Sequence, residues 1–244
     1  MTDLSTWTAG QHTADGTTHP TYRKGSGPGV IVIHEIPGIT PKVVEFADEV
    51  VAAGFTVVMP QLFGTPGAPM SPGAIARVVP RVCVSREFTT MATGRTSPVA
   101  TWLRSLARAL HEDVGGPGVG ALGMCFTGGF ALAMMVDDAV AAPVLAQPSL
   151  PFAVGRRRAA DLGLSPADLA DVRARAAGGC QVLGLQFEGD LATGTRFHTL
   201  AAEIGDAFLR VDLPGKGHST LTEHRSQEAV DRVLAFVAER LNRA

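Results

Sequence analysis

The sequence predicts an α/β fold, in which a mostly parallel central sheet is covered by helices on both faces. Short runs of consecutive apolar residues, such as 29–33 (GVIVI), are typical of strands that are buried on both sides. They alternate along the chain with longer segments of helical period, which is the pattern of parallel strands joined by helices. With 244 residues and 45% hydrophobic composition the chain can bury one large core, so we expect a single domain over residues 1–244.

The first predicted unit is a strand, a helix and a second strand between residues 29 and 59. The strand 29–33 is followed by a helix over 41–53, because Thr40 is a good N-cap and Pro41 suits the first helical position. Gly54 ends that helix, and the apolar run 55–59 is the next strand. The remaining predicted elements are a helix near 98–112, a strand at 118–122, a helix at 126–136, strands at 140–146 and 181–187, a helix at 195–204, a strand at 207–212 and a helix at 223–241.

Two long segments, residues 61–96 and 148–179, interrupt this alternation. The first is rich in Pro and Gly, and the second contains Ser165-Pro166, which predicts a helix start. Excursions that follow strand ends in an open α/β sheet tend to lie over the ligand crevice, so we expect both near an active site. They carry seven arginines, most of which we interpret as solvated surface groups: Arg77, Arg81, Arg86, Arg95, Arg156, Arg157 and Arg158.

Charge and hydropathy argue against nucleic acid and membrane partners. The formal net charge of -2 provides no general attraction for polyanions or for anionic lipid. No apolar run approaches the roughly 18 residues needed to span a bilayer. The first 16 residues lack both the basic start and the apolar stretch of a signal peptide, so we expect a cytoplasmic protein.

The cysteine pattern does not predict a metal site or a disulfide framework. The three cysteines, Cys83, Cys125 and Cys180, are an odd number without a short Cys-x-x-Cys spacing. The pair His34-Glu35 could begin a zinc-binding motif, but no second histidine follows at the required spacing. We therefore expect three free thiols, no metal and no organic cofactor.

The segment 119–129 (VGALGMCFTGG) is the most informative part of the chain. An apolar strand runs into Gly123-Met124-Cys125 and then directly into an apolar helix, which is the pattern of a nucleophile elbow. A thiol at the start of a helix faces free N–H groups, which stabilise its anion. A lone cysteine is more often simply buried, but the flanking glycines favour a nucleophile here. In the serine version of this turn, glycine occupies the place of Thr127.

A thiol nucleophile needs a base and a group that orients the base. Residues 213–219 (LPGKGHS) place His218 just after a predicted strand, and Asp190 follows another strand end. Each alone could be an ordinary loop residue, as His224 is expected to be. The chain order nucleophile, acid, histidine is the order of this type of hydrolase, so Cys125, Asp190 and His218 are the predicted triad.

Backbone N–H groups near the predicted nucleophile are candidates for an oxyanion hole. One is the residue after the nucleophile, Phe126, and the other lies in the loop after the first apolar strand, at Ile36. Glu35 precedes it at the same sheet edge, where a carboxylate is usually a solvated group.

The sequence resembles the dienelactone hydrolase family. The matching segments are 30–39 (VIVIHEIPGI), 53–64 (AGFTVVMPQLFG), 120–132 (GALGMCFTGGFAL), 185–190 (LQFEGD) and 213–219 (LPGKGHS). The resemblance implies an α/β-hydrolase fold and a cysteine hydrolase of lactones or related esters, with Cys125, His218 and Asp190 as its triad. It also implies that Glu35 is a catalytic residue, which contacts the thiol and helps to switch it to the reactive thiolate when substrate binds. In that family arginines hold a substrate carboxylate, for which Arg86 is the candidate here. Thr127 and the stretch 219–225 depart from the family pattern, so dienelactone itself is not specified as the substrate.

The leading hypothesis is hydrolysis of a small ester or lactone through an acyl-thioenzyme, by a monomer or small homo-oligomer. Two alternatives from other classes are a non-catalytic binding or regulatory protein on a hydrolase scaffold and a redox-sensing thiol protein. A thiol that resists iodoacetamide, together with no esterase activity, would favour the first. An oxidisable thiol would favour the second.

Overall fold

The computed structural model describes residues 4–242, and its strands form one sheet. The strands in this part of the chain are β1 (Thr8–Ala14), β2 (Thr17–Lys24), β3 (Gly29–Ile33), β4 (Thr56–Pro60), β5 (Val119–Met124), β6 (Val140–Ala146), β7 (Val182–Phe187) and β8 (Phe208–Leu213). Their spatial order is β1-β2-β4-β3-β5-β6-β7-β8. Strand β2 runs antiparallel to β1 and β4, and all other neighbours are parallel. The carboxyl ends of β3 and β5 to β8 therefore meet at one edge.

Helices connect the strands and lie on both faces of the sheet. They are α1 (Pro41–Ala52), α2 (Pro72–Val84), α3 (Val99–Val114), α4 (Gly128–Met134), α5 (Arg156–Ala159), α6 (Pro166–Ala177), α7 (Arg196–Ile204) and α8 (Gln227–Leu241). Short 3-10 turns occur at Leu4–Thr6, Cys125–Thr127 and Gly205–Ala207. No helix within the described range is long and apolar enough to cross a bilayer.

The two faces of the sheet bury separate hydrophobic cores. Along β3, Val30 and Val32 enter one core, whereas Ile31 and Ile33 enter the other, because successive side chains of a strand point to opposite faces. Helices α1 and α8 cover the first core, and α2, α3, α4, α6 and α7 contribute to the second. This arrangement confirms the predicted α/β-hydrolase architecture with helices on both faces.

Helix starts follow the predicted capping rules. Thr40 Oγ1 accepts a hydrogen bond from Val43 N at 3.3 Å before α1. Ser165 Oγ accepts from Asp168 N at 3.1 Å and begins α6, as the Ser-Pro pair predicts. The last helix begins at Gln227, after the N-cap Ser226, and not at the expected residue 223. Residues 223–225 instead form part of the turn that follows His218.

The structure contains two strands and two helices that the sequence did not predict, namely β1, β2, α2 and the four-residue α5. Strands β1 and β2 form a hairpin at the edge of the sheet; the side chains of β1 are mostly exposed, so the strand lacks an apolar pattern. Helix α2 lies within the excursion 61–96 and is capped by Ser71 ahead of Pro72, the same signal as Ser165-Pro166. The predicted helix 126–136 is shorter, since the 3-10 turn at Cys125–Thr127 precedes α4.

Candidate functional site

Cys125 occupies a sharp bend between β5 and the helical segment that follows. Its φ angle is +51°, in the left-handed region that non-glycine residues rarely adopt. Such a bend at a strand end directs the side chain out of the sheet edge. The cysteine is partly exposed, whereas Met124 and Phe126 on either side are fully buried. The geometry is that of a nucleophile elbow.

Glycines allow the strand and helix to approach each other closely at this bend. A Cβ on Gly123 would lie 2.3 Å from the carbonyl oxygen of Thr127, and one on Gly128 would lie 2.7 Å from Pro148 Cα. Neither distance is possible for real atoms, so any larger residue would open the turn. The glycine after the nucleophile is therefore Gly128, one residue later than the glycine in the serine version of the motif.

Thr127 accounts for that displacement. Its buried hydroxyl accepts a hydrogen bond from Met124 N at 3.0 Å. The same hydroxyl lies 3.0 Å from Ile33 O and 3.1 Å from His34 O, to which it can donate its proton. Because those carbonyls end β3, the hydroxyl joins the elbow to the neighbouring strand. Thr127 is therefore a cross-link between two strand ends, not an obstacle in the turn.

Asp190 lies in the turn after β7 and accepts three hydrogen bonds. The imidazole Nδ1 of His218 donates to Asp190 Oδ2 at 2.8 Å, and the Ala192 N–H and the Thr193 hydroxyl donate to the carboxylate at 2.9 Å each. The carboxylate is 4% exposed. Burial raises the pKa of Asp190, but the hydrogen bonds and the charge of His218 outweigh it and lower the pKa overall. Asp190 is thus an ionised partner for the histidine.

His218 lies between Asp190 and Cys125. Burial favours the neutral ring, yet the hydrogen bond to Asp190 and the interactions with the Cys125 and Asp190 side chains prevail and raise the pKa of His218 to about 10. At neutral pH the ring is an imidazolium, which attracts a thiolate. The structure therefore brings Cys125, His218 and Asp190 together at the carboxyl edge of the sheet.

The two predicted oxyanion donors lie on adjacent strand ends. Ile36 follows β3, and its backbone N–H donates to no acceptor within residues 4–242. Phe126 is the second residue of the 3-10 turn, where helix N–H groups are free of intrahelical partners. Strands β3 and β5 are neighbours, and the Thr127 hydroxyl links their ends. Ile36 and Phe126 therefore follow neighbouring strand ends, and their role as an oxyanion hole stays a prediction.

Glu35 makes different contacts from those that the resemblance implies. The side chain is 1% exposed, and its carboxylate accepts hydrogen bonds from Ser219 Oγ at 2.8 Å and from the Thr222 hydroxyl. Burial raises the pKa of Glu35, although the two hydroxyls oppose the shift. Among the described residues Glu35 forms no hydrogen bond with Cys125.

Ser149 is the hydroxyl that does contact the thiol, and the sequence analysis missed it. Its Oγ lies 3.4 Å from Cys125 Sγ, and its backbone N–H donates to Cys125 O at 2.9 Å. Ser149 is buried in the loop after β6, the strand next to β5. A polar residue just after a neighbouring strand end was the available signal.

His34 is a structural histidine. Burial lowers its pKa to about 4, so the ring is neutral. Its Nδ1 donates to Glu35 O at 3.0 Å, and Nε2 accepts from Leu62 N at 3.1 Å. Within residues 4–242 no group of three or more His, Cys, Asp or Glu side chains is arranged to hold a metal ion.

The predicted substrate arginine, Arg86, lies in an exposed turn after α2. A pocket of about 270 Å³ lies elsewhere on the same excursion, between Pro37, Phe63 and the helix residues Arg77 and Arg81. Arg86 does not line it. Since Pro37 directly follows Ile36, the pocket adjoins the loop after β3, which we name the oxyanion loop for the role predicted for Ile36. Arg77 and Arg81 are both exposed, in agreement with the predicted solvated groups, and they line this pocket.

Arg196 is a second residue that the sequence analysis missed. It is 2% exposed, and burial lowers its pKa to about 10, so it keeps its charge at neutral pH. Its guanidinium donates to backbone carbonyls of two loops, the excursion after β6 and the turn that carries Asp190. The acceptors are Pro148, Pro151, Arg158, Ala192 and Thr193.

The sequence profile of the dienelactone hydrolase family matches residues 17–157, which is more than half of the chain. No curated protein matches the sequence. Solved structures share the fold at low identity. An α/β hydrolase from Penicillium sp. sh18 has a TM-score of 0.68 at 15% identity and covers 97% of this chain and 99% of its own. The dienelactone hydrolase from Anabaena variabilis ATCC 29413 has a TM-score of 0.67 at 14% identity, with 96% and 98% covered.

A third similar structure is a cold-adapted esterase from an Arctic intertidal metagenomic library. Its TM-score is 0.62 at 16% identity, with 96% of this chain and 93% of that chain covered. At these identities the three structures establish the fold, while the profile match establishes the family. The chain therefore belongs to the dienelactone hydrolase family, and it is an α/β hydrolase of the ester or lactone type.

Proposed function

We propose that this protein hydrolyses small carboxylic esters or lactones through an acyl-thioenzyme formed on Cys125. The observation that carries the proposal is the position of His218, which is hydrogen-bonded to Asp190 on one side and interacts electrostatically with the bent-out Cys125 on the other. An imidazole in this position can take the proton of the thiol, and the thiolate is the reactive form of cysteine.

In the first half of the reaction the Cys125 thiolate attacks the carbonyl carbon. The resulting oxyanion accepts hydrogen bonds from the N–H groups of Ile36 and Phe126. When the tetrahedral intermediate collapses, the carbon–oxygen bond to the alcohol breaks. The imidazolium of His218 gives its proton to the departing alkoxide and becomes neutral. A lactone opens in this step, so its alcohol stays attached to the acyl chain.

In the second half water releases the acid. Neutral His218 takes a proton from the water, and the resulting hydroxide attacks the thioester carbon. The thiolate leaves, and the imidazolium and thiolate pair is restored. Asp190 keeps the ring oriented and stabilises its charged form throughout. No step requires a redox partner. The hydroxide of the water ends in the acid product, and its proton replaces the one that His218 gave to the alcohol.

The pocket beside the oxyanion loop supports a substrate with an anionic group. Arg77 and Arg81 lie one turn apart on α2 and both line this pocket together with Phe63. Guanidinium groups bind carboxylates by paired hydrogen bonds. This placement favours the two pocket arginines over Arg86 as the groups that bind a substrate carboxylate.

Arginine substitutions test whether Arg77 and Arg81, or instead Arg86, bind the substrate carboxylate. For an ester that carries a free carboxylate, Arg77→Ala or Arg81→Ala is expected to raise KM about 10-fold, the effect of losing one charge-assisted hydrogen bond. For an uncharged ester of equal size KM should change little. Steady-state kinetics on both esters, with Arg86→Ala as the matched variant, make the comparison. A rise in KM for Arg86→Ala alone would instead support the sequence-based choice.

A panel of lactones and aryl esters, tested on the wild type and on Cys125→Ser in parallel, tests the proposed function. The wild type should turn over at least one compound class, and rapid quenching should trap an acyl group on Cys125, visible by mass spectrometry. Cys125→Ser should be slowed because a hydroxyl is a poorer nucleophile at neutral pH. No turnover and no adduct across the panel would contradict the proposal and favour a binding protein.

A further inference from the structure

We propose that the segment carrying His218 is fastened by two buried acceptor side chains, Glu35 and Gln147, and that Glu35 acts in this chain as a positioning residue for His218. The inference rests on the proposed function, and it differs from the direct contact with the thiol that the family resemblance implies. We call residues 218–222 the histidine loop. Three of the four residues after His218 in this loop, Ser219, Thr220 and Thr222, carry hydroxyls.

The first attachment joins the histidine loop to the end of β3. Ser219 Oγ donates to one carboxylate oxygen of Glu35 at 2.8 Å, and the Thr222 hydroxyl donates to the other. All three residues are at least nine-tenths buried. Both oxygens of Glu35 therefore accept from this loop, and among the described residues neither forms a hydrogen bond with the thiol.

The second attachment joins the same loop to the end of β6. The side-chain carbonyl of Gln147 accepts hydrogen bonds from Thr220 Oγ1 at 2.6 Å and from Thr220 N at 3.3 Å. Gln147 is completely buried, and its φ angle is +37°. A left-handed conformation is unfavourable for glutamine, so the surrounding structure must hold it there. That conformation is used to aim the side chain at the histidine loop.

The strand order gives these attachments their significance. Strand β5, which Cys125 directly follows, lies between β3 and β6. Glu35 and Gln147 therefore stand on either side of the thiol, at the ends of its two neighbouring strands. A loop fixed at both of these points is held across the nucleophile, and His218 is held above Cys125. Asp190 fixes the ring itself through Nδ1.

Losing one attachment should reduce the rate and leave substrate affinity nearly unchanged. Removing a hydroxyl leaves a buried acceptor without its donor and lets the loop shift. A displacement of the imidazole by a fraction of an ångström is enough to disturb proton transfer. The hydroxyls of the histidine loop bind Glu35 and Gln147 and not the substrate. We therefore expect a change in kcat and not in KM.

Matched threonine variants test the proposal. Thr222→Val and Thr220→Val keep the shape but lose the hydroxyl, and each should lower kcat about 10-fold with KM within about 2-fold. Thr222→Ser and Thr220→Ser restore the donor and should regain most of the rate. Thr13→Val removes a hydroxyl from an exposed pair in the outer hairpin and should leave kcat unchanged. Thermal unfolding shows whether each variant is folded.

A double-substitution cycle distinguishes the positioning role from direct action on the thiol. If Glu35 acts through the loop, Thr222→Val added to Glu35→Gln should cause little further loss of kcat. The rate of Cys125 alkylation by iodoacetamide at pH 7 should fall in both single variants alike. The proposal would be overturned if the kcat losses of the two single variants multiplied in the double variant. It would also be overturned if Glu35→Gln slowed alkylation and Thr222→Val did not.

Failure of this proposal can be told apart from failure of the proposed function. The proposed function is read from ester turnover by the wild type and Cys125→Ser. Alkylation of Cys125 needs no substrate and is measured equally well if no ester is hydrolysed. Unequal alkylation in an otherwise active enzyme therefore refutes only the role given to Glu35 and Gln147.

Discussion

Replacing Cys125 with alanine is expected to reduce kcat/KM for any hydrolysed ester by roughly 10⁴-fold or more, since loss of the nucleophile removes the covalent route. The fold should be retained, because the side chain is partly exposed and alanine removes only the sulfur. Hydrolysis of an activated aryl ester, followed by absorbance, measures the effect. No acyl adduct should form in this variant.

Cys180→Ala is the matched control for that substitution. Cys180 is also a partly buried free thiol, but burial raises its pKa, and within the described residues its hydrogen bonds go to carbonyl groups of β6. Cys180→Ala should leave kcat/KM within about 2-fold of the wild type, because the substitution lies away from the predicted catalytic residues. Equal activity of Cys125→Ala and Cys180→Ala would place the chemistry elsewhere in the protein.

Replacing Asp190 with asparagine should have the second largest effect. The amide cannot supply the negative charge that favours the imidazolium of His218, and it can hold the wrong tautomer of the ring. We expect kcat to fall by about 10³- to 10⁴-fold. Asp206→Asn removes the same charge from an exposed turn just before β8, at the opposite edge of the sheet, and should change kcat little.

Asp190→Asn should also change how the stability of the protein depends on pH. The pKa of His218 is raised from 6.5 to about 10, so its contribution to stability is complete below pH 6.5 and is lost as the pH rises towards 10. Without the Asp190 charge that pKa should fall and the pH-dependent loss should shrink. Thermal unfolding between pH 6 and pH 10 compares the two proteins. A wild-type melting temperature that falls no more than that of Asp190→Asn over this range would contradict the imidazolium pair.

The sequence predicts the centre of the fold well and its margins poorly. The buried strands are contiguous apolar runs, and helices such as α1 have clear capping residues, so both leave a local pattern. The outer hairpin is different because a strand exposed on both faces has no such pattern. Helix α2 had the Ser71-Pro72 signal, but the Pro and Gly residues around it concealed a helical period.

The same distinction applies to the site. The positions of Cys125, Asp190 and His218 could be predicted because each follows the end of an apolar strand. Strand ends and the order of residues can both be read directly from the sequence. The contacts of Glu35 and Ser149 depend on the path of loops distant in sequence, and 184 positions separate Glu35 from Ser219. The φ angle of Gln147 is likewise imposed by tertiary contacts. Such details follow only from the assembled chain.

The buried guanidinium of Arg196 bears on how substrates reach the thiol. By tying the excursion after β6 to the turn of Asp190, it makes one wall of the cleft a single stiff unit, since opening either loop would strand a buried cation. Any widening for a bulkier acyl or alcohol group must then come from other parts of the site, such as helix α2 of the excursion 61–96, which lines the pocket beside Pro37. Changes in substrate range are therefore best sought by substitutions in α2, while the loops held by Arg196 keep the catalytic geometry constant.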